Sequence, residues 1–245
     1  MHRFTLSIAG HSIGVESLFA STRDYCGKYL TENPPEFTVT VTETMLRKEQ
    51  DLLDREADEE GLRRRVFPDP FLERSAIQRT VALELLKHRV LLLHGSCLAL
   101  EGKAYLFTAP CGTGKSTHAR LWREAFPEAV TVNDDKPFLT FTEDGVLAWG
   151  APWSGKHGLD TNIHAPLGGI CILARGDRDE ISPLEGPETL DFLTGQALAP
   201  EEPDGPFPGL MEELVRRVPL WQMRCTKNIS AAYTAHKAMT KASSL

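Results

Sequence analysis

Ala109-Pro-Cys-Gly-Thr-Gly-Lys-Ser-Thr117 decides how the rest of this 245-residue chain is read. Gly112 and Gly114 let a backbone curl with its N–H groups turned inward, the arrangement that cradles phosphate oxygens. Lys115 follows with a charge suited to β- and γ-phosphates, and Ser116 offers a hydroxyl to Mg²⁺. Pro110, Cys111, Thr113 and Thr117 complete the wrap. A nucleoside triphosphate, ATP with Mg²⁺, is therefore the first ligand to expect. The motif recurs by accident in unrelated chains, so its surroundings matter. Residues 103–109 form an apolar run of strand length, and residues 118–126 are good helix formers with Leu121, Trp122 and Phe126 near helical spacing. Strand, glycine turn, helix is the context such a loop requires. The helix start adds its positive end.

Composition narrows the alternatives. With 41% hydrophobic and 25% charged residues the chain is ordinary for a water-soluble globular protein. A formal net charge of −7 and no basic stripe argue against nucleic-acid binding. Arg63-Arg64-Arg65 directly follows Asp58-Glu59-Glu60, which reads as a self-compensating surface. Five scattered cysteines without a Cys-x-x-Cys pair favour free thiols in a reducing, cytoplasmic compartment. Cys111 stands apart because it lies inside the anion-binding loop. The first residues alternate polar and apolar, which suits a strand rather than a targeting core, and no apolar run approaches the ~20 residues of a membrane span.

Two regions are expected: an N-terminal α+β region over residues 1–89, a place for acceptor or partner binding, and a nucleotide domain over residues 90–245. In the first, Phe4, Leu6 and Ile8 alternate, and a His-Ser bend leads to Ile13 and Val15, predicting a hairpin. Residues 37–41 repeat the period of two. Residues 45–65 predict a charged helix ending near Gly61, and Asp69-Pro70 starts another whose face holds Ile77, Val81 and Leu85. In the second, strands are expected at 90–94, 103–109, 129–132, 138–141, 146–149, 169–174 and 220–225. Glu101-Gly102 and Glu143-Asp144-Gly145 are turns. Residues 183–209 look loop-rich around a helix at 188–196, with a mobile connection at 199–206, and residues 229–239 predict a last helix.

The acidic pair Asp134-Asp135 comes eighteen and nineteen positions after Ser116. In a strand–loop–helix–strand unit that interval returns the chain to the sheet edge beside the loop. One carboxylate there can serve Mg²⁺ while its neighbour accepts a proton from an incoming hydroxyl.

Taken together, His94-Gly95 before the loop, Pro110-Cys-Gly-Thr-Gly-Lys-Ser116 and the closely following Asp134-Asp135 resemble the HPr serine kinase/phosphorylase family. More distantly they resemble ATP-dependent phosphoenolpyruvate carboxykinases. Asn133-Asp-Asp-Lys-Pro137 and Gly150-Ala-Pro-Trp-Ser-Gly-Lys156 are similar to small kinase-like members found in bacterial peptide-modification clusters. The resemblance covers about residues 90–176. It implies an α/β fold: a mixed-sheet phosphate-loop core of the HPr kinase and carboxykinase kind, with the N-terminal α+β region attached. It also implies that Lys115 contacts β/γ-phosphate, that Ser116 ligates the metal, and that one of Asp134 and Asp135 activates the acceptor hydroxyl; we place the base on Asp134 and metal support on Asp135, though the reverse assignment stays open. Lys156 would reach phosphate and His94 would line the site as a strand histidine. Three positions depart from the family. Ala109 replaces the first loop glycine, Thr117 stands where those kinases carry glutamate, and the Glu-Ile-Arg-Gly segment tied to phosphorylase activity has no counterpart.

The expected activity is Mg²⁺–ATP-dependent transfer of a phosphoryl group to a hydroxyl on a peptide, protein or small molecule. The alternatives are a non-catalytic nucleotide-binding accessory protein and another small-molecule phosphotransferase of the carboxykinase superfamily. No nucleic-acid or membrane partner is expected, and the oligomeric state, a homo-oligomer included, stays open.

Overall fold

A computed structural model of the chain describes residues 1–59, 61–185, 187–202 and 205–241. They form two compact units, Met1–Glu84 and Leu85–Leu245.

The first unit opens with an antiparallel hairpin of β1 (His2–Ile8) and β2 (His11–Ser17), in which Ile8 faces His11. Its two-residue turn is Ala9-Gly10, not the expected His-Ser bend. Both residues take positive φ, 52° and 87°, the geometry that matches strand twist. Strand β3 (Phe37–Thr40) pairs in parallel with β2. Leu6, Ile8, Ile13 and Val15 are buried, so one face of this small sheet is covered. Helices α1 (Ala20–Tyr25), α2 (Glu43–Glu59) and α3 (Asp69–Leu85) complete the unit. The start of α1 carries no side-chain cap of its own. Buried Glu73 of α3 supplies one, accepting from the N–H groups of Leu18 and Phe19 and from Thr22 Oγ1. Glu49 of α2 is also buried and is neutralised by Arg79, whose Nε lies 3.0 Å from Oε2. The expected helix over 45–65 is shorter than its charge pattern suggested. It is helical through Glu59, Glu60 lies outside the described residues, and 62–68 carry no helix.

The second unit is built on a nine-stranded mixed sheet. Its strands are β4 (Val90–Leu92), β5 (Ser96–Leu100), β6 (Lys103–Thr108), β7 (Val130–Asn133), β8 (Phe138–Phe141), β9 (Val146–Trp149), β10 (His164–Arg175), β11 (Glu180–Pro183) and β12 (Leu220–Cys225). Their order is β4-β8-β9-β10-β6-β5-β7, with β12 also on β10 and β11 on β12. Strand β10 is long enough to pair antiparallel with β9 through residues 164–166 and parallel with β12 through 170–175. It thus joins two parts of the sheet. Helices α4 (Lys115–Ala125), α5 (Pro187–Thr194), α6 (Phe207–Arg217) and α7 (Ser230–Lys241) complete this unit. Helix α4 stops where Pro127 forces Phe126 out of helical geometry, at φ −130° and ψ 90°.

Trp122 of α4 is completely buried against Phe107 and Tyr105, with Leu98, Leu121, Leu173, Met223 and Ala235 in the same core. Each of the buried Leu, Met and Phe side chains contributes about 1.5–3 kcal/mol by leaving water. The apolar face of α4 is therefore what fixes the loop before it onto the sheet.

Several elements differ from expectation. Strand β5 emerges from a segment not assigned, β10 starts five residues earlier than expected, and β4 ends at Leu92, so His94 lies on a connection and not on a strand. Neither the short edge strand β11, which ends at Pro183 where the loop-rich stretch begins, nor α6, which starts at Phe207 inside that stretch and runs on to Arg217, was expected. Pro208 sits in the first turn of α6, where its missing N–H costs nothing. A proline-rich approach thus looked like a loop. Of that stretch, Gly186, Pro203 and Asp204 lie outside the described residues, so the expected connection at 199–206 is covered only in part. No helix among the described residues is long and apolar enough to cross a membrane.

Candidate functional site

Strand directions bring the singled-out residues to one edge of the second unit. Strand β5 runs antiparallel to β6, with Ser96 facing Phe107, and β7 runs antiparallel to β5, with Cys97 facing Asn133. Strands β6 and β7 therefore point the same way. Their C-terminal ends, the N-terminal end of β5 and the end of parallel β10 share one edge. From it leave the 109–114 loop, Asp134-Asp135, His94-Gly95 and Arg175. Gly95 is required there, because a Cβ would come within 2.8 Å of Leu106 Cδ2 and 2.9 Å of the Phe107 carbonyl.

Both glycines of the loop take positive φ. Gly112 and Gly114 take φ of 71° and 125°, and a Cβ on either would meet nothing within 4 Å. The constraint on them is backbone geometry, not crowding. Gly114 caps α4 without any side-chain hydrogen bond, and the first turn holds no acidic residue. The positive end of α4 is therefore uncompensated by its own side chains. Lys115 Nζ donates to the Ala109 carbonyl at 2.8 Å, folding back along the loop. Pro110, Cys111, Gly112 and Ser116 are exposed, while Thr113, Gly114, Lys115 and Thr117 are half-buried.

The two carboxylates sit in different settings. Asp134 is buried, its Oδ1 accepts the Gly155 N–H at 2.6 Å, and its backbone N–H donates to the Leu159 carbonyl. Burial, reinforced by the charge of Asp135, holds its carboxyl above the usual range against the pull of the Gly155 N–H. Asp135 is about one-third exposed, with Oδ1 3.3 Å from His94 Nε2. Burial pushes it up as well. The His94 hydrogen bond and the charges of Lys136, His94 and Lys115 outweigh that and leave it below the usual range. Lys115 thus acts electrostatically on Asp135 across the edge.

Opposite shifts at adjacent positions give opposite pH signatures. Asp134 is raised in the folded chain, so it costs stability as pH climbs from the ordinary carboxyl range through its folded value. Asp134→Asn should melt higher than wild type at pH 7, and the gain should vanish below about pH 4. Asp135 is depressed, so its stabilisation is complete above the ordinary range and is lost as pH falls through its folded value. Asp135→Asn should melt lower at pH 7, with the deficit closing in acid. Thermal melts across pH decide this, and shifts of the same sign for both variants would contradict the electrostatic picture.

Asn133 was noticed only as part of a motif, yet it organises the acidic turn. It is fully buried, its Oδ1 accepts the N–H groups of Asp135 and Lys136 at 2.9 and 2.6 Å, and its Nδ2 reaches the carbonyls of Ala151 and Trp153. One side chain thereby ties the turn to the 151–153 segment. An Asn followed by two polar residues at a strand end is a legible turn signal. Gly150 lets that segment pass, since a Cβ there would lie 1.9 Å from the Thr161 carbonyl oxygen.

His94 is anchored through its backbone: its N–H donates to Gln196 and its carbonyl accepts from Thr108 Oγ1. Lys156 lies exposed in the turn closed by the Gly158 N–H to Gly155 carbonyl bond. The Gly155 N–H to Asp134 contact brings that turn beside the acidic pair, while no hydrogen bond or ion pair joins Lys156 to the loop among the described residues. Arg175 had no local signal at all. Its Nη2 donates to the Gly112 carbonyl at 2.7 Å.

No protein-family model matches the chain, and no curated protein matches its sequence significantly. Among solved structures it is similar to the Hpr(Ser) kinase/phosphatase from Coxiella burnetii, at 11% identity and a TM-score of 0.35, over 62% of this chain and 98% of that one.

Proposed function

We propose that this chain is a phosphotransferase that binds Mg²⁺–ATP on the 109–117 loop and passes the γ-phosphoryl group to a hydroxyl. One observation carries the reading. An uncapped, acid-free helix start wrapped by two left-handed glycines shares a sheet edge with Lys115 and two carboxylates of opposite pKa tendency. Each part has a role in phosphoryl transfer, where positioning and charge neutralisation supply most of the rate.

The loop N–H groups and the start of α4 would hold the phosphate chain, and Lys115 would balance its outer charge. The Ser116 hydroxyl and the ionised Asp135 carboxylate are hard oxygen donors that fit Mg²⁺. The metal, when bound, neutralises charge that develops on the phosphate oxygens. Asp134 is the more basic carboxyl and takes the acceptor's proton as its oxygen bonds to phosphorus and the bridging bond to ADP breaks. His94 orients Asp135. Lys156, exposed in the turn beside the Gly155 contact, is assigned to the acceptor face. The setting fits a protein of the HPr kinase kind, with the acceptor class still peptide, protein or small molecule.

Incubation with γ-labelled ATP and a panel of peptide and small-molecule hydroxyls tests the activity, and binding with no transfer or hydrolysis would favour an accessory role. A chemical test addresses the loop itself. Cys111 is exposed, whereas Cys26, Cys97 and Cys171 are buried and Cys225 is half-buried. Alkylation should therefore fall first on Cys111, abolish ATP binding and be slowed by prior ATP. Full affinity after complete modification of Cys111 would mean that phosphate sits elsewhere.

A further inference from the structure

Strand β10 ends at Arg175, next to β6 in parallel register, with Ile172 opposite Thr108. Three residues beyond that pair, the strand end stands beside the loop leaving β6. Side chains alternate along a strand, so Arg175 shares a face with Leu173 and Cys171. Those two belong to the core that holds Leu121 and Trp122 of α4. Arg175 therefore emerges on the α4 side, where the loop runs, and its guanidinium meets the Gly112 carbonyl at 2.7 Å. Gly176 follows immediately, and its N–H is pinned to the Cys225 carbonyl at 3.0 Å.

The bond has a geometric consequence. In a trans peptide the C=O and N–H point in opposite directions, and the chain contains no cis bond. Holding the Gly112 carbonyl outward turns the Thr113 N–H into the loop, where it donates to the Pro110 carbonyl at 3.2 Å. That N–H is the kind of donor a phosphate oxygen takes over.

We propose that Arg175 is a positioning residue of the 109–114 loop: it fixes the 112–113 peptide plane in the orientation that presents Thr113 N–H to the phosphate chain of a nucleoside di- or triphosphate. The proposal rests on the nucleotide reading of the loop. Arg175 uses one of five guanidinium donors in this bond, and its charge also lies beside the anion's place. A lysine carries the charge without the planar fork.

The test compares wild type, Arg175→Met and Arg175→Lys in the full chain, with two readouts. Calorimetry gives affinities for Mg²⁺–ATP, ADP and adenosine, and iodoacetamide labelling of Cys111 without nucleotide reports the free loop's conformation. Arg175→Met should weaken ATP and ADP about tenfold, leave adenosine unchanged and alter the Cys111 labelling rate. Arg175→Lys should recover part of the affinity and keep the altered labelling rate. Equal ATP affinity and equal labelling in Arg175→Met and wild type would overturn the proposal. Loss of adenosine affinity alongside ATP would overturn it too, since only a phosphate role is claimed. A wild-type chain that binds no nucleotide would sink the nucleotide reading instead. The labelling comparison would still decide whether Arg175 holds the loop.

Discussion

Lys115→Met should lower Mg²⁺–ATP affinity by about a hundredfold while the chain still folds. Lys115 is the first residue of α4, half-buried, and bent back so that Nζ reaches the Ala109 carbonyl. That pose keeps an ammonium over the mouth of the loop. An anion of several charges placed there loses its nearest fixed cation when Lys115 is neutralised. Methionine preserves the stem's packing and most of its helix propensity, so a melt should differ little from wild type. The same variant should shift Asp135 upward, because Lys115 is one of the charges holding it down. Calorimetric titration with Mg²⁺–ATP decides the matter. Unchanged affinity would remove the phosphate from the loop and with it the proposed reaction.

Asp134→Asn should leave ATP binding intact and reduce phosphoryl transfer by about 10²–10⁴-fold, the range for loss of a general base. The substitution keeps shape, and its amide oxygen can still accept the Gly155 N–H that Asp134 accepts at 2.6 Å. What disappears is the proton acceptor. Asp135→Asn should act differently: its loss falls on metal dependence, raising the Mg²⁺ concentration needed for half-maximal rate. Single-turnover transfer measured against Mg²⁺ separates the two. If Asp134→Asn transfers at the wild-type rate, the buried carboxyl is structural and the base lies elsewhere.

The hairpin of β8 and β9 and the strand–turn–helix of β6, the loop and α4 were legible because each rests on a local rule. Gly145 allows a tight turn, and positive φ at Gly112 and Gly114 needs residues without a side chain. Element boundaries were less legible where one feature carried two meanings. Pro208 breaks a helix in mid-course yet suits its first turn, so α6 was hidden. The polar edge strand β11 has no apolar alternation to betray it and exists because β12 pairs with it. His94 looked like the tail of a strand, but β4 ends at Leu92 and the chain turns at Gly95, the one residue type that clears Leu106 and Phe107.

By itself, the order of residues determined the glycine turn, its lysine and hydroxyl, and the arrival of two carboxylates one helix later, since these depend on backbone freedom and on chain length per element. Tertiary structure alone decided that Asp134 is buried and raised while Asp135 is paired and depressed, because desolvation and neighbouring charge come from distant segments folded together. It also decided that Arg175, more than sixty residues away in the chain, holds the Gly112 carbonyl. Parallel pairing of β6 and β10 sets that contact, and no local pattern encodes which strands become neighbours.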